Sequence, residues 1–348
     1  MNKNPVFPSN IKFNFFSSRF AFFCFSLILF SLFLWGCSKN RESPYSTDSS
    51  KKSSALKLSV TDKILNIPLS ELLPPAGPRT GKLKKDVSEK AKEEYMYGTI
   101  AGQYGKTFVA IDHIKRALSF EPKFIDAHHN LGLAYFKLGR IDEAVQEWLT
   151  TLHLDPKYAE TYYDLSVFLM QNGRTKDAIL LLNRCIEIDS YHLKARFALG
   201  KTYQKLGNNY EAIRSFQAYK VKDRGNLEVL ISLGELYLMV GQLEASLKEF
   251  ESATKIDDKN SMVHFQLGIA YQRKKQYSNS LSHFKRTLEL TPDYSDAYVN
   301  MGDIYAIQRE YASALSSYNA ALGINPKNPY LQKKAAEMEK KLMEREPK

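Results

Sequence analysis

Cysteine is nearly absent from this chain: three in 348 residues, two of them within the first 37. A disulfide framework is excluded on that count. Tryptophan occurs twice. Residues 1–36 contain no Asp or Glu, and no apolar run reaches the roughly 20 residues of a membrane-spanning helix. There is no glycine-rich phosphate loop, no G-x-S-x-G and no C-x-x-C. His128 and His129 are adjacent, so on a helix they point to different sides, and no third ligand shares a face with either. Nothing here predicts an enzyme, a metal or a cofactor, and no small-molecule substrate is expected.

The charge of +11 is also less than it looks. Residues 91–328 hold 29 bases against 28 acids, whereas residues 37–90 hold eleven against six. The large central part is therefore nearly neutral, and no nucleic-acid footprint is predicted. The basic excess sits in the flanks.

At the N-terminus Lys3, Lys12 and Arg19 precede FAFFCFSLILFSLFLW, residues 20–35. As a helix that run spans about 24 Å, short of the hydrocarbon core. A basic stretch followed by a short apolar one reads as a signal peptide over residues 1–36. The following Leu34-Trp35-Gly36-Cys37 resembles a bacterial lipobox, although Trp35 stands where that family has a small residue. The resemblance implies cleavage before Cys37, lipid on its thiol and a membrane-anchored body, in the cell membrane or the outer membrane, facing the periplasm or the surface. An uncleaved anchor is the other reading. Cys24 would leave with the signal, and Cys185 would remain as a small core residue.

Residues 37–90 form a tether. SKNRESPYSTDSSKKSS is too polar to bury a core. The stretch ILNIPLSELLPPAGPRTG, residues 64–81, reads as a stiff spacer or as a short docking peptide.

What is abundant is repetition. Residues 91–328 divide into seven units of 34 without an insertion. Position 8 of each unit is Gly98, Gly132, Ser166, Gly200, Gly234, Gly268 and Gly302; position 20 is Ala or Ser throughout. Position 24 is bulky: Ile114, Trp148, Leu182, Phe216, Phe250, Phe284 and Tyr318. Position 32 is proline at 122, 156, 292 and 326. Apolar residues at 4, 7, 8 and 11 make one helix face, and those at 20, 24 and 27 a second. Each unit thus predicts an antiparallel helix pair that must stack on neighbours to hide its apolar side. Residues 329–348 predict a capping helix, opened by Asn328 and Pro329 with Leu331, Ala335, Met338 and Leu342 on one face. Tyr219 interrupts position 27, and with KDRGN after it the joint from the fourth to the fifth unit is expected to be a hinge.

This pattern resembles the tetratricopeptide repeat family over 238 of 348 residues. The resemblance implies an all-α fold, a right-handed α-solenoid whose first helices line a concave groove. Its groove positions fall here on Tyr95, His129, Tyr163, Phe197, Ile231 and Phe265 at position 5, and on Leu133, Val167, Lys201 and Ile269 at position 9. They continue with Phe136, Met170 and Leu238 at position 12 and Asn130 at position 6. The basic clamp with which some members hold a C-terminal carboxylate is not matched: the first three units offer Tyr95, Thr99, Asn130, Glu160 and Asp164. The expectation is a membrane-anchored scaffold that binds other envelope proteins or peptides. The alternative is a surface-exposed ligand-binding or host-contact lipoprotein.

Overall fold

The computed structural model describes residues 87–344, together with Leu65, Pro68, Glu71 and Leu73 before them. The signal segment, Cys37 and nearly all of the tether lie outside the described residues, as do residues 345–348.

The described residues form fifteen α-helices and no strand. They are α1 Glu89–Gln103, α2 Thr107–Phe120, α3 Ile125–Lys137, α4 Ile141–Leu154, α5 Ala159–Gln171, α6 Thr175–Ile188, α7 Leu193–Lys205 and α8 Asn209–Lys220. They continue with α9 Leu227–Met239, α10 Leu243–Thr254, α11 Ser261–Arg273, α12 Tyr277–Leu290, α13 Ser295–Ile307, α14 Tyr311–Ile324 and α15 Pro329–Met343. Two helices fall in each 34-residue unit, and the last is the predicted cap. This is the consecutive helix-turn-helix order of an α-solenoid. Two compact units are distinguished, one holding residues 87–147 and the other 148–344, with the boundary inside α4.

In the first unit α1 pairs with α2, and α2 packs on α3. Ser88 opens α1, its hydroxyl accepting from the Ala91 amide at 3.3 Å. Ala91, Ile111, Ile114, Ala117, Ala127 and Leu131 are buried.

In the second unit the pairs α5/α6, α7/α8, α9/α10, α11/α12 and α13/α14 are hairpins. Their tightness is set by position 8. A Cβ on Gly200 would lie 2.7 Å from the Phe216 ring, so any larger residue would drive the helices apart. Phe216 is fully buried, worth about 2–3 kcal/mol of transfer free energy. Where position 20 is serine, the hydroxyl bonds the carbonyl of the facing glycine: Ser246 to Gly234 at 2.8 Å and Ser280 to Gly268 at 2.7 Å.

The buried clusters reach from one hairpin into the next. Phe216 of α8 clusters with Val229 and Leu233 of α9, and Phe250 of α10 with Val263 and Leu267 of α11. Phe284 of α12 joins Ala297 and Met301 of α13, and Tyr318 of α14 joins Leu331, Ala335 and Met338 of α15. A hairpin's second helix therefore needs the next hairpin's first helix, which is the physical reason for stacking. The cap α15 ends the series: Asn328 Oδ1 accepts from the amides of Tyr330 and Leu331, and the outward face carries Lys333, Lys340 and Glu337.

Turns inside hairpins share one form. The amide at position 16 returns to the carbonyl at position 11, as in Lys106 to Ala101 and Gln276 to Tyr271, both at 2.9 Å. Position 15 must then take a positive φ. Glycine supplies it at 105, 139, 173, 207 and 241, whereas Lys275 and Arg309 adopt φ 61° and 63° in the last two hairpins.

Candidate wall for a partner segment

Position 5 lies one turn into each first helix, so within each compact unit the stacking of hairpins brings the position-5 side chains side by side. None of them is fully exposed, and each aromatic one covers part of itself with its own surroundings.

In the first unit Tyr95 is half-buried, its ring 4.7 Å from that of Phe124. Asn130 donates to the Tyr95 hydroxyl at 2.6 Å. Burial, with Asp126 second, pushes the Tyr95 pKa well up. Leu133 and Phe136 are half-buried and His129 is buried. The neighbouring His128 meets the Glu147 carboxylate at 2.6 Å through Nδ1 and the Pro122 carbonyl at 2.9 Å through Nε2. Both partners are acceptors, so His128 is an imidazolium. Burial alone would lower its pKa, but Glu147 and Pro122 together raise it. A recess lined by Gly98, Gly102, Ile114, Asn130 and Lys137 has room for about 10 Å³, one water and no substrate.

In the second unit Tyr163, Phe197, Ile231 and Phe265 are half-buried, as are Val167, Met170, Lys201 and Ile269; Leu238 is buried. The covering of each ring follows a rule. Phe265 packs on Tyr294, centroids 4.8 Å apart, and Tyr163 on His192 at 5.3 Å. Tyr294 and His192, like Phe124, are the residues just before the next hairpin's first helix. At the fourth hairpin that place is Asn226, which caps α9 by accepting from the Val229 amide at 3.0 Å. There the Phe197 ring instead meets Tyr219 at 6.0 Å and Phe216 at 5.9 Å. Tyr219 is buried, donates to Asp223 at 3.2 Å and accepts from Asn226 at 3.1 Å. The residue that interrupts its column thus braces the joint.

Charge along this wall is mixed. Lys201 bonds Glu228 at 2.9 Å and Ser232 at 3.2 Å and sits 5.6 Å over the Phe197 ring. Burial, against Lys201, raises Glu235. Burial and then Glu160 push Asp164 well above the carboxylate range, against Lys194. The Tyr163 hydroxyl is pushed up to about 12, by burial first and then by Asp164 and Glu160. His192 Nδ1 accepts from the Ala195 amide at 3.0 Å, so its Nε2–H donates to Glu160 at 2.8 Å. Arg273 donates to the Leu238 carbonyl at 2.7 Å and Thr202 to the Met170 sulfur at 3.2 Å. Cys185 is fully buried, and burial pushes its thiol up, away from the reactive thiolate. Among the described residues no group of three His, Cys, Asp or Glu side chains is placed to hold a metal ion.

Of the expected groove residues His129 and Leu238 are buried, and sequence reasoning missed the residues that cover the rings, Phe124, His192, Tyr219 and Tyr294. The available signal was an aromatic residue or histidine at position 34, replaced in the fourth unit by asparagine together with a tyrosine at position 27.

Tetratricopeptide repeat models match residues 113–146, 159–192, 193–219 and 265–329, and a TPR repeat model matches residues 132–167. No curated protein matches the chain. Among solved structures, the C-terminal part of a TPR repeat-containing protein from Cytophaga hutchinsonii superposes with a TM-score of 0.56 at 14% identity, over 69% of this chain and 98% of that one. YrrB, described as a TPR protein with an unusual peptide-binding site, gives 0.49 at 21% identity over 56% and 97%. PilF of Pseudomonas aeruginosa gives 0.46 at 17% over 61% and 97%. The first likeness shows the fold; the other two are looser and add nothing to it.

Proposed function

We propose that this chain, with its helix pairs in tetratricopeptide register, is a protein-interaction scaffold held at a bacterial envelope membrane by lipid on Cys37. A segment of a partner protein lies along the first helices of the third to sixth hairpins. The observation that carries this reading is the row Tyr163, Phe197, Ile231 and Phe265, half-buried where an interior row would be buried. Each ring is held on one side by its covering residue, so its orientation is fixed before a partner arrives. Fixed aromatic side chains make good anchors because little rotamer entropy remains to be lost on binding. Lys201, Glu228 and Glu235 supply polar edges that set the register of the bound segment.

The test uses a photo-crosslinking residue placed singly in the full chain at Phe197, Ile231 or Leu180. Leu180 is exposed on α6, a second helix of its hairpin. Crosslinks to one protein from 197 and 231, absent from 180, are expected. Equal crosslinking from 180 would place binding elsewhere. The triple change Tyr163→Ser, Phe197→Ser, Phe265→Ser should reduce recovery of that protein at least tenfold, with helical circular dichroism retained. Anchoring is read separately, as fatty-acid labelling and membrane recovery that disappear in Cys37→Ala.

A further inference from the structure

The first hairpin departs from the other six at positions where they are buried or charged. Position 10 is buried in Ala134, Phe168, Thr202, Leu236, Ala270 and Ile304, but Ile100 is 42% exposed. Position 7 is buried in every other unit, but Tyr97 is 44% exposed. At the start of the second helix the later hairpins carry at least one polar residue in the pairs Asp142-Glu143, Lys176-Asp177, Tyr210-Glu211, Glu244-Ala245, Ser278-Asn279 and Ala312-Ser313, whereas α2 starts with Phe108 and Val109, 70% and 44% exposed. Tyr104, between the two helices, is 78% exposed. Met96 and Ile100 are four residues apart and so share one strip of α1, Tyr104 caps its C-terminal end, and Phe108 lies in the first turn of α2. Residues 95–111 contain a single charge, Lys106, and no acid. A strip of this extent left bare in water marks an interaction site.

We propose that this strip rests on the phospholipid surface to which the chain is anchored. The proposal relies on the lipid-anchor reading above. α1 begins at Glu89, so the first hairpin is the repeat hairpin nearest to Cys37 along the sequence. About 50 residues of sequence separate the two; a coil of that length, as the polar composition predicts, would span roughly 40 Å r.m.s. and hold the strip near the bilayer at an effective concentration on the order of millimolar, so weak contact suffices. The chemistry fits a lipid interface. Tyrosine and phenylalanine rings with aliphatic neighbours seat at the headgroup boundary, and Lys106 meets lipid phosphate. The strip would set the orientation of the scaffold on the membrane.

The experiment uses the full lipidated chain on phosphatidylethanolamine and phosphatidylglycerol vesicles, with an environment-sensitive dye on Phe108→Cys or, as control, on Leu180→Cys. Bromine-bearing lipids should quench the dye at 108 at least threefold more than at 180, and Tyr104→Ser should weaken that quenching. If the chain floats with vesicles but 108 is quenched no more than 180, the strip proposal fails while the anchor stands. If the unmodified chain does not float, the anchor fails and the proposal with it. Blue-shifted emission at 108 without lipid quenching, rising with protein density, would assign the strip to a second copy and overturn the proposal.

Discussion

At the joint from the sixth to the seventh hairpin, Tyr294 covers the wall ring of Phe265, and α12 runs to Leu290 before Pro292. At the joint from the fourth to the fifth, Tyr219 covers Phe197 from inside α8, which stops at Lys220, and Asn226 caps α9. A tyrosine ring neighbours the wall ring in both, but from a different place in the repeat and with a different geometry, tilted at 4.8 Å in the first and edge-on at 6.0 Å in the second. Moving the tyrosine seven positions back frees the last position for a capping side chain, and one hydrogen bond ties the two changes together. A repeat position is therefore a location in space that several side chains can fill, and a wall ring keeps a neighbour through exchanges that a column of identical residues would not show.

The largest effect expected from this contrast is at Tyr219. Tyr219→Ala removes a buried ring and should cost about 3–5 kcal/mol in chemical denaturation. Tyr294→Ala removes a half-buried one and should cost about 1–2 kcal/mol. Equal losses would break the distinction. Next, Tyr219→Phe and Asn226→Ala should each cost about 1 kcal/mol and fall short of additivity when combined, because each removes the same bond. Strict additivity would mean that the two residues act independently.

Hydrogen exchange sharpens the comparison without mutation. Amides of residues 221–226 should exchange faster than those of residues 155–158, where Pro156 and the Asp155–Lys157 turn fix the chain. Equal protection would show that the Tyr219–Asn226 brace offsets the missing proline. Acid should weaken the sixth hairpin. His264 Nε2 donates to the Asp258 carbonyl at 3.0 Å, so its Nδ1 accepts from His283 Nδ1–H at 3.3 Å. Asp258, Arg286 and Glu251 are the charged groups around the pair. Burial first, then His264, holds His283 below the ordinary histidine value, with Glu251 opposing. The unfolded chain therefore takes up this proton more readily, and stability is lost as pH falls through about 6.5. After correction for the intrinsic rate, protection in α12 should fall between pH 7.5 and 5.5 while that in α8 changes little.

The fold was legible because its signal is periodic: Gly200 facing Phe216, and their counterparts every 34 residues, state the hairpin and its spacing in one column each. The wall row was legible for the same reason. Its burial was not, since Phe265 is covered by a residue 29 positions later whose type changes from unit to unit. Nor was the exposure of Ile100, which follows from what stands beside α1 rather than from its own unit.

Lys275 and Arg309 hold a backbone shape that glycine takes freely, and side chains with a Cβ give up about 1 kcal/mol to adopt it. Thermal resistance is thus left unrealised near the C-terminal end of the stack. Lys275→Gly and Arg309→Gly should each raise the melting midpoint by a degree or two, after the entropy that glycine adds to the unfolded chain is subtracted. The gain would come from relieved geometry alone, with no contact added and the position-5 side chains untouched.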